Sequence, residues 1–179
     1  MPEIEIRPAV AQDIPSLVAI DHSYTTDHVW QMEIQSEEGV TGISFREIRL
    51  PRSVRVEYPH RIDTLADEWT QRAGLLVALL EDEPVGYISL MLNVAPLTAW
   101  VRDLAVVRRL HRQGIGSTLV LAGQELGSNL GCRRMVLEMQ PKNYALIHLA
   151  RKLGFDFCGY NDRYYTNHDI GLFFAKSIR

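Results

Sequence analysis

The sequence is poor in cysteine, in long apolar runs and in net charge, and each shortage excludes a class of protein. Only two of its 179 residues are cysteines, Cys132 and Cys158, too few for a disulfide framework. No apolar run approaches the ~20 residues that span a bilayer, and no Cys/His cluster has metal-ligand spacing. A net charge of -3 gives no overall attraction to nucleic acid. We therefore expect no membrane, metal or nucleic-acid partner.

The length and composition are those of an ordinary globular protein. The 179 residues suit one domain, residues 1–179. Hydrophobic residues make up 46% and charged residues 23%, which is typical of a chain with one sizeable core. The segment Met1–Arg7 contains acidic residues and lacks the apolar stretch of a signal peptide, so we expect a cytoplasmic protein.

The spacing of apolar residues predicts an α/β chain. The second half alternates strand and helix, which favours a mixed sheet flanked by helices. Residues 22–38 fit either a strand or a helix, and residues 50–53 are predicted to connect two strands. The predicted strands are 4–7, 43–48, 54–58, 75–80, 85–94, 99–107, 134–140, 155–160 and 170–178. One predicted helix begins near residue 13, and three others cover residues 60–72, 114–130 and 143–153.

The segment His111–Ser117 combines two glycines with the predicted start of a helix. Gly114 and Gly116 leave the backbone without Cβ atoms, so a ligand can approach its N–H groups closely. The first turn of a helix adds unpaired N–H donors and the positive end of its dipole, an arrangement suited to a diphosphate. The third glycine of a dinucleotide fingerprint is absent, and no G-K-[ST] follows. From these residues alone, a purely structural turn remains an equal alternative.

Two segments resemble motifs of the GNAT family of N-acetyltransferases. Asp103–Val106 followed by His111–Gly116 resembles motif A, and Asn143 followed by Leu149 and Lys152–Phe155 resembles motif B. The resemblance implies a mixed, mostly antiparallel sheet with a V-shaped splay between two parallel strands, flanked by helices. It also implies acetyl-CoA as cosubstrate, direct transfer of the acetyl group to a primary amine, and the homodimers that are common in the family.

The resemblance also assigns residues to coenzyme A. The pantetheine arm would pair with the backbone of Leu104, Ala105 and Val106. Asn143 would bond the same arm, although it also stands where a helix N-cap is expected, and both roles are compatible. The diphosphate would bind the turn formed by His111, Arg112, Gln113, Gly114, Ile115, Gly116 and Ser117.

The acid–base residues are less clearly marked. Many relatives carry, at the position of Ala150, a tyrosine that protonates the departing thiolate, and a methyl group cannot do this. Glu138 and Asp103 are the candidate bases, because a carboxylate on an apolar strand is costly to bury without a partner. A salt bridge to an arginine and a structural hydrogen bond are their respective alternatives. For the acid, the tail offers Tyr160, Tyr164 and Tyr165, of which we favour the last two. Tyr144 is a further option, one helical turn too early, and packing is the alternative role for each.

The acceptor is an amine of unspecified size. The tail from residue 159 onwards is similar to streptothricin acetyltransferases, which favours a small-molecule acceptor. It is also loosely similar to protein N-terminal acetyltransferases, so a peptide α-amine or lysine is a second hypothesis. A sensor that binds acyl-CoA without chemistry is the third. The acidic residues of the first half would favour a cationic amine, unless they are simply solvated surface charges; they include Glu33, Glu37, Glu38, Asp63, Asp67 and Glu68.

Overall fold

A computed structural model describes residues 3–179. Met1 and Pro2, which belong to the N-terminal segment considered above as a signal peptide, lie outside the described residues. The helices are α1 (Ile14–Val18), α2 (Leu65–Glu68), α3 (Ile115–Asn129) and α4 (Tyr144–Lys152). The strands are β1 (Glu5–Pro8), β2 (Tyr24–Glu37), β3 (Val40–Val56), β4 (Gly74–Leu80), β5 (Glu83–Met91), β6 (Thr98–Val106), β7 (Arg134–Met139), β8 (Asp156–Asn161) and β9 (Gly171–Ser177). Within the described residues, no helix is long and apolar enough to cross a membrane.

Seven strands form one sheet in the order β1-β4-β5-β6-β7-β9-β8, and every neighbouring pair is antiparallel except β6 and β7. Apolar side chains of α3 and α4 pack on one face, with Leu119 and Ile147 fully buried. Those of α1 and α2 pack on the other face, with Leu17 and Leu65 buried. The mixed α/β sheet flanked by helices is therefore confirmed.

The parallel strands β6 and β7 pair over only four residues and then separate. Their last paired residues are Val101 and Leu137. The separation begins at Arg102, where β6 carries one extra residue opposite the Ser89–Leu90 step of β5. Such a β-bulge bends its strand and ends regular pairing. The predicted V-shaped splay is present, and its arms are Arg102–Val106 and Glu138–Gln140.

The first half contains a hairpin that the sequence pattern did not resolve. Residues 24–37 are a strand, which settles the ambiguous segment 22–38. The separate strands predicted at 43–48 and 54–58 are wrong, because both belong to β3. Residues 50–53 are not a connection: they bulge out of β3 between its pairings with Thr26 and His28 of β2. A bulge accommodates Pro51, which has no N–H to donate to a ladder.

The helix predicted over residues 60–72 is only partly present. Helix α2 covers Leu65–Glu68 and a 3-10 turn covers Trp69–Gln71, so residues 60–64 are not helical. Side-chain contacts explain the late start of the helix: His60 bonds Glu138 and Tyr58 bonds Asp103, on the α1/α2 face of the splayed strands. The last six predicted strands and the helices at 114–130 and 143–153 are confirmed, with ends shifted by a few residues.

Candidate active site

The predicted anion-binding turn forms one wall of a cavity of about 410 Å³. Gly114 has a φ of 89° and caps the start of α3, a left-handed conformation that glycine adopts without strain. The first intrahelical bond reaches only Thr118, whose N–H donates to the Gly114 carbonyl. The N–H groups of the preceding helical residues have no intrahelical acceptor. Residues Ile115, Gly116 and Ser117 therefore offer backbone donors at this wall.

Gly116 leaves space that the folded chain itself does not need. A Cβ placed there would meet only Leu149 Cδ2, at 3.6 Å, which is an ordinary contact. The open backbone therefore suits a ligand that approaches closely, and the residues present fit a diphosphate. Arg108 and Arg112 also line the cavity and give it a cationic rim, whereas Arg109 lies 3.8 Å from Glu83.

A second wall of the cavity is the free edge of β6. The carbonyl oxygen of Ala105 lies against Gly86 of β5, so the backbone groups of Ala105 face away from the splay. Backbone groups alternate in direction along a strand, and those of Leu104 and Val106 therefore face the splay. His111 Nε2 lies 2.7 Å from the Val106 carbonyl oxygen and fixes the turn to the strand. Leu104 consequently has the free backbone groups that an extended ligand arm can pair with.

Asn143 lies where both predicted roles are available. Its side-chain oxygen accepts a hydrogen bond from Leu146 N–H at 3.2 Å, which confirms the N-cap. Its amide nitrogen is left to donate, and the residue lines the cavity. All the residues predicted to bind coenzyme A line this cavity except Gln113, whose amide points back to the Arg109 carbonyl at 3.4 Å.

Glu138 is the centre of a buried hydrogen-bond cluster. One carboxylate oxygen lies 2.7 Å from His60 Nε2. The other accepts from Trp100 Nε1 at 2.5 Å and from the Tyr164 hydroxyl at 2.8 Å. Burial alone would raise the pKa of this carboxyl group, but the three donors outweigh burial and hold the pKa of Glu138 below its usual value. The arginine salt bridge considered for Glu138 is absent among the described residues, and His60 takes its place.

A second small cavity, of about 30 Å³, lies between the splayed strands beside this cluster. His60, Glu138 and Tyr165 line it. It shares four wall residues with the large cavity, namely Tyr58, Leu104, Asn143 and Leu146. The cluster therefore lies at the inner end of the space in which an extended ligand would lie along β6.

Tyr164 and Tyr165, predicted as acids, differ in their surroundings. The Tyr164 hydroxyl donates to Glu138, whereas the Tyr165 hydroxyl has no hydrogen-bond partner among residues 3–179. Burial, followed by the charge of Glu138, raises the pKa of both phenols. Both therefore hold their protons at neutral pH, and Tyr165 lines the small cavity. Of the two, Tyr165 has the proton that is free to move.

Asp103 lies apart from both cavities. Its carboxylate accepts from the Tyr58 hydroxyl at 2.5 Å and lies 4.0 Å from an Arg72 nitrogen. It is buried and lines neither cavity, although its partner Tyr58 lines both. These contacts are those of the structural alternative considered for Asp103.

Four aromatic residues of the first half belong to the site although the sequence pattern did not single them out: His22, Tyr24, Tyr58 and His60. The Tyr24 hydroxyl donates to Gln140 at 2.7 Å. His22 Nε2 lies 2.8 Å from the Tyr87 hydroxyl, and burial lowers the pKa of His22. No local signal marks these residues, because a long hairpin separates the two pairs along the chain.

Three of the six acidic residues named for the first half are in salt bridges at the surface. Glu33 bonds Arg46, Asp63 bonds Arg61 and Glu68 bonds Arg72. None of the six acidic residues lines either cavity in the described chain. Ala150, at the position of the missing tyrosine, is fully buried on the inner face of α4 and also lines neither cavity.

Comparison with known proteins identifies the fold and family. The model of the acetyltransferase (GNAT) family matches residues 43–155. The chain belongs to this family.

Relatives and solved structures of similar overall shape are found along almost the whole chain. The streptothricin acetyltransferase of Streptomyces lavendulae is 21% identical over 166 residues, covering 90% of this chain and 86% of the relative. The crystal structure of nourseothricin acetyltransferase is 20% identical, with a TM-score of 0.81 over 98% of this chain and 99% of that one. A Bacillus anthracis protein described as a streptothricin acetyltransferase, in complex with acetyl coenzyme A, is 19% identical, with a TM-score of 0.78 over 99% and 98%.

Proposed function

We propose that the protein transfers an acetyl group from acetyl-CoA to a primary amine of a small molecule. The observation that carries this proposal is the free edge of β6 beside the unpaired N–H groups at the start of α3, on two walls of one cavity. Family membership and the Bacillus anthracis protein bound to acetyl coenzyme A support the same cosubstrate. As a substrate, acetyl-CoA supplies the activated acetyl group as a thioester.

The binding roles follow from the residues that line the large cavity. The N–H groups of Ile115, Gly116 and Ser117, with the Arg112 side chain on the rim, would hold the diphosphate. The backbone of Leu104 and the amide of Asn143 would hold the pantetheine arm, which places the thioester beside the small cavity. Tyr165 would return a proton to the departing sulfur, because its hydroxyl keeps its proton and has no competing partner.

The α1/α2 face of the splay supports a small acceptor. The segment Tyr58–His60 lies over β6 and β7 there, through the contacts of Tyr58 with Asp103 and of His60 with Glu138. The Tyr164 hydroxyl also contacts Glu138. These residues cover part of the splay on that face, which supports a compact acceptor over an extended peptide. The similarity to streptothricin and nourseothricin acetyltransferases supports the same acceptor class.

A thiol-release assay tests the proposal. The full chain is mixed with acetyl-CoA and a panel of small polyamines, aminoglycosides and streptothricin, alongside peptides with a free α-amine or a lysine. We expect release of coenzyme A with at least one small amine, and a kcat/KM for it at least tenfold above that for every peptide. Preferred turnover of a peptide would contradict the small-molecule acceptor. Tight acetyl-CoA binding without release across the panel would favour the sensor hypothesis.

A further inference from the structure

A buried ionisable pair beside the cavities contains a histidine with one nitrogen still available. His60 Nε2 lies 2.7 Å from a carboxylate oxygen of Glu138. Ionised Glu138 only accepts hydrogen bonds, so its partner nitrogen holds the hydrogen of the neutral ring. The lone pair is then on Nδ1, which has no hydrogen-bond partner among residues 3–179. The side chain of His60 is 10% exposed and lines the small cavity between the splayed strands.

We propose that His60 is the general base that removes a proton from the acceptor amine, and that Glu138 is its positioning residue. The proposal rests on the acetyl transfer proposed above. Glu138 fixes the tautomer and the ring orientation, and its negative charge stabilises the imidazolium that forms. Trp100 and Tyr164 hold the carboxylate in turn, so the ring is fixed through a connected set of hydrogen bonds.

The other candidate bases are less suitable. Both oxygens of Glu138 are already occupied by three donors, and its pKa is held low. His22 has both nitrogens engaged, one with the Ile20 carbonyl at 2.6 Å and the other with Tyr87. Asp103 lines neither cavity and accepts from Tyr58.

Four ionisable side chains contact His60 or line the small cavity with it. Glu138 on β7 is an anion in contact with the ring, and Arg102 on β6 is a cation that lines the same small cavity. The two phenols that face it are Tyr58 from its own segment and Tyr165 from the segment after β8. Both phenols stay uncharged at neutral pH, since burial raises the pKa of each. Glu138 is therefore the one anion in direct contact with the ring among the described residues.

The step balances without another reactant. A proton leaves the acceptor ammonium for His60 Nδ1, which later releases it to solvent. The freed nitrogen lone pair forms the bond to the acetyl carbon. The carbon–sulfur bond breaks and its electron pair goes to sulfur, which takes a proton from the Tyr165 hydroxyl. The Tyr165 oxygen in turn takes up the second proton lost by nitrogen. An ammonium and a thioester thus become an amide, a thiol and one released proton.

The test compares His60→Gln with His148→Gln. A glutamine amide can keep the donor to Glu138 but cannot take up a proton near neutral pH, whereas His148 is exposed on α4 and lines neither cavity. General-base catalysis typically contributes 10²–10⁴-fold. We expect His60→Gln to lower kcat/KM for the amine about 100-fold or more and to remove the ascending limb of its pH profile. Acetyl-CoA affinity should stay within twofold, and His148→Gln should resemble the wild type.

A second variant separates the role of Glu138 from a structural one. In Glu138→Gln the protonated ring loses its stabilising anion, so the ascending limb should move to lower pH while the plateau falls. An unmoved limb would contradict the positioning role. If the wild type turns over an amine and His60→Gln keeps more than one third of its kcat/KM, the base assignment fails alone. If the wild type releases no thiol with any amine, the proposed function fails and the base assignment falls with it.

Discussion

Gly116→Ala should stabilise the protein and weaken coenzyme A binding at the same time. The added methyl group meets only Leu149 Cδ2, at 3.6 Å, so the fold accommodates it. Gly116 is in the first turn of α3 and its φ is not positive, so alanine suits the backbone. Replacing glycine by alanine in such a position stabilises a fold by roughly 0.5–1 kcal/mol. The same methyl group stands where a phosphate would approach the backbone donors.

The expected loss of binding is the larger effect. A hydrogen bond to a charged group contributes about 1.5–3 kcal/mol, which corresponds to a roughly 10- to 100-fold weaker Kd for acetyl-CoA. Titration calorimetry measures the affinity, and thermal unfolding should show a Tm higher by about 1–4 °C. Gly42→Ala in the hairpin is the control, because its Cβ would meet nothing closer than 3.9 Å.

A truncated substrate identifies which part of the ligand meets the methyl group. Acetyl-pantetheine lacks the diphosphate, so its kcat/KM should be the same in the wild type and in Gly116→Ala. Unchanged acetyl-CoA affinity with a raised Tm would refute the assignment of this turn to the diphosphate. A lowered Tm would refute the packing argument instead.

Three further predictions address the hairpin, the acid response and the Glu138 cluster. Trp30 is buried where β2 packs on the body of the protein, so Trp30→Ala should cost about 3–5 kcal/mol of unfolding free energy in urea titrations. Burial lowers the pKa of His22, so at mildly acidic pH the unfolded chain binds a proton that the folded chain does not. The free energy of unfolding should therefore fall as the pH drops below ~6.5, the usual pKa of histidine. In His22→Gln this fall should be smaller. A Cβ on Gly171 would lie 2.6 Å from Tyr164 Cδ1, so Gly171→Ala should displace Tyr164 from Glu138. We expect kcat/KM to fall about tenfold. The double variant with Tyr164→Phe should show no further loss.

Local patterns predict well the structure of the segment that we propose binds acetyl-CoA. The strand before Gly114 and the helix after it are marked by contiguous residues, and ten of the eleven residues expected to bind coenzyme A line one cavity. Gln113 differs because its side chain bonds the preceding turn. The signal is strong here because backbone groups of a single continuous segment make most of the site.

The residues that we propose act on the acceptor could not be predicted in the same way. His60 and Glu138 are 78 residues apart, and only the tertiary fold brings them to 2.7 Å. The apolar spacing of Leu65 and Trp69 favours a predicted helix that begins at residue 60, whereas the contacts of Tyr58 and His60 hold the start of that segment outside the helix. The spacing of apolar residues predicts which face of an element is buried, but it does not predict which polar side chains will pair inside the fold.

The bulge at Arg102 connects the two halves of the site. Without the extra residue, β6 would continue in register with β5 on one side and β7 on the other, and its N–H and C=O groups would be paired along the whole strand. The bulge lies immediately after the last β6–β7 pair, so it frees the edge at Leu104 and separates Glu138 from the neighbouring backbone at the same point. It also resets the side-chain alternation, so that Val101 and Leu104 both face the α3 side while Asp103 faces Tyr58. One inserted residue therefore creates both the slot for an extended ligand arm and the gap that the His60–Glu138 pair lines.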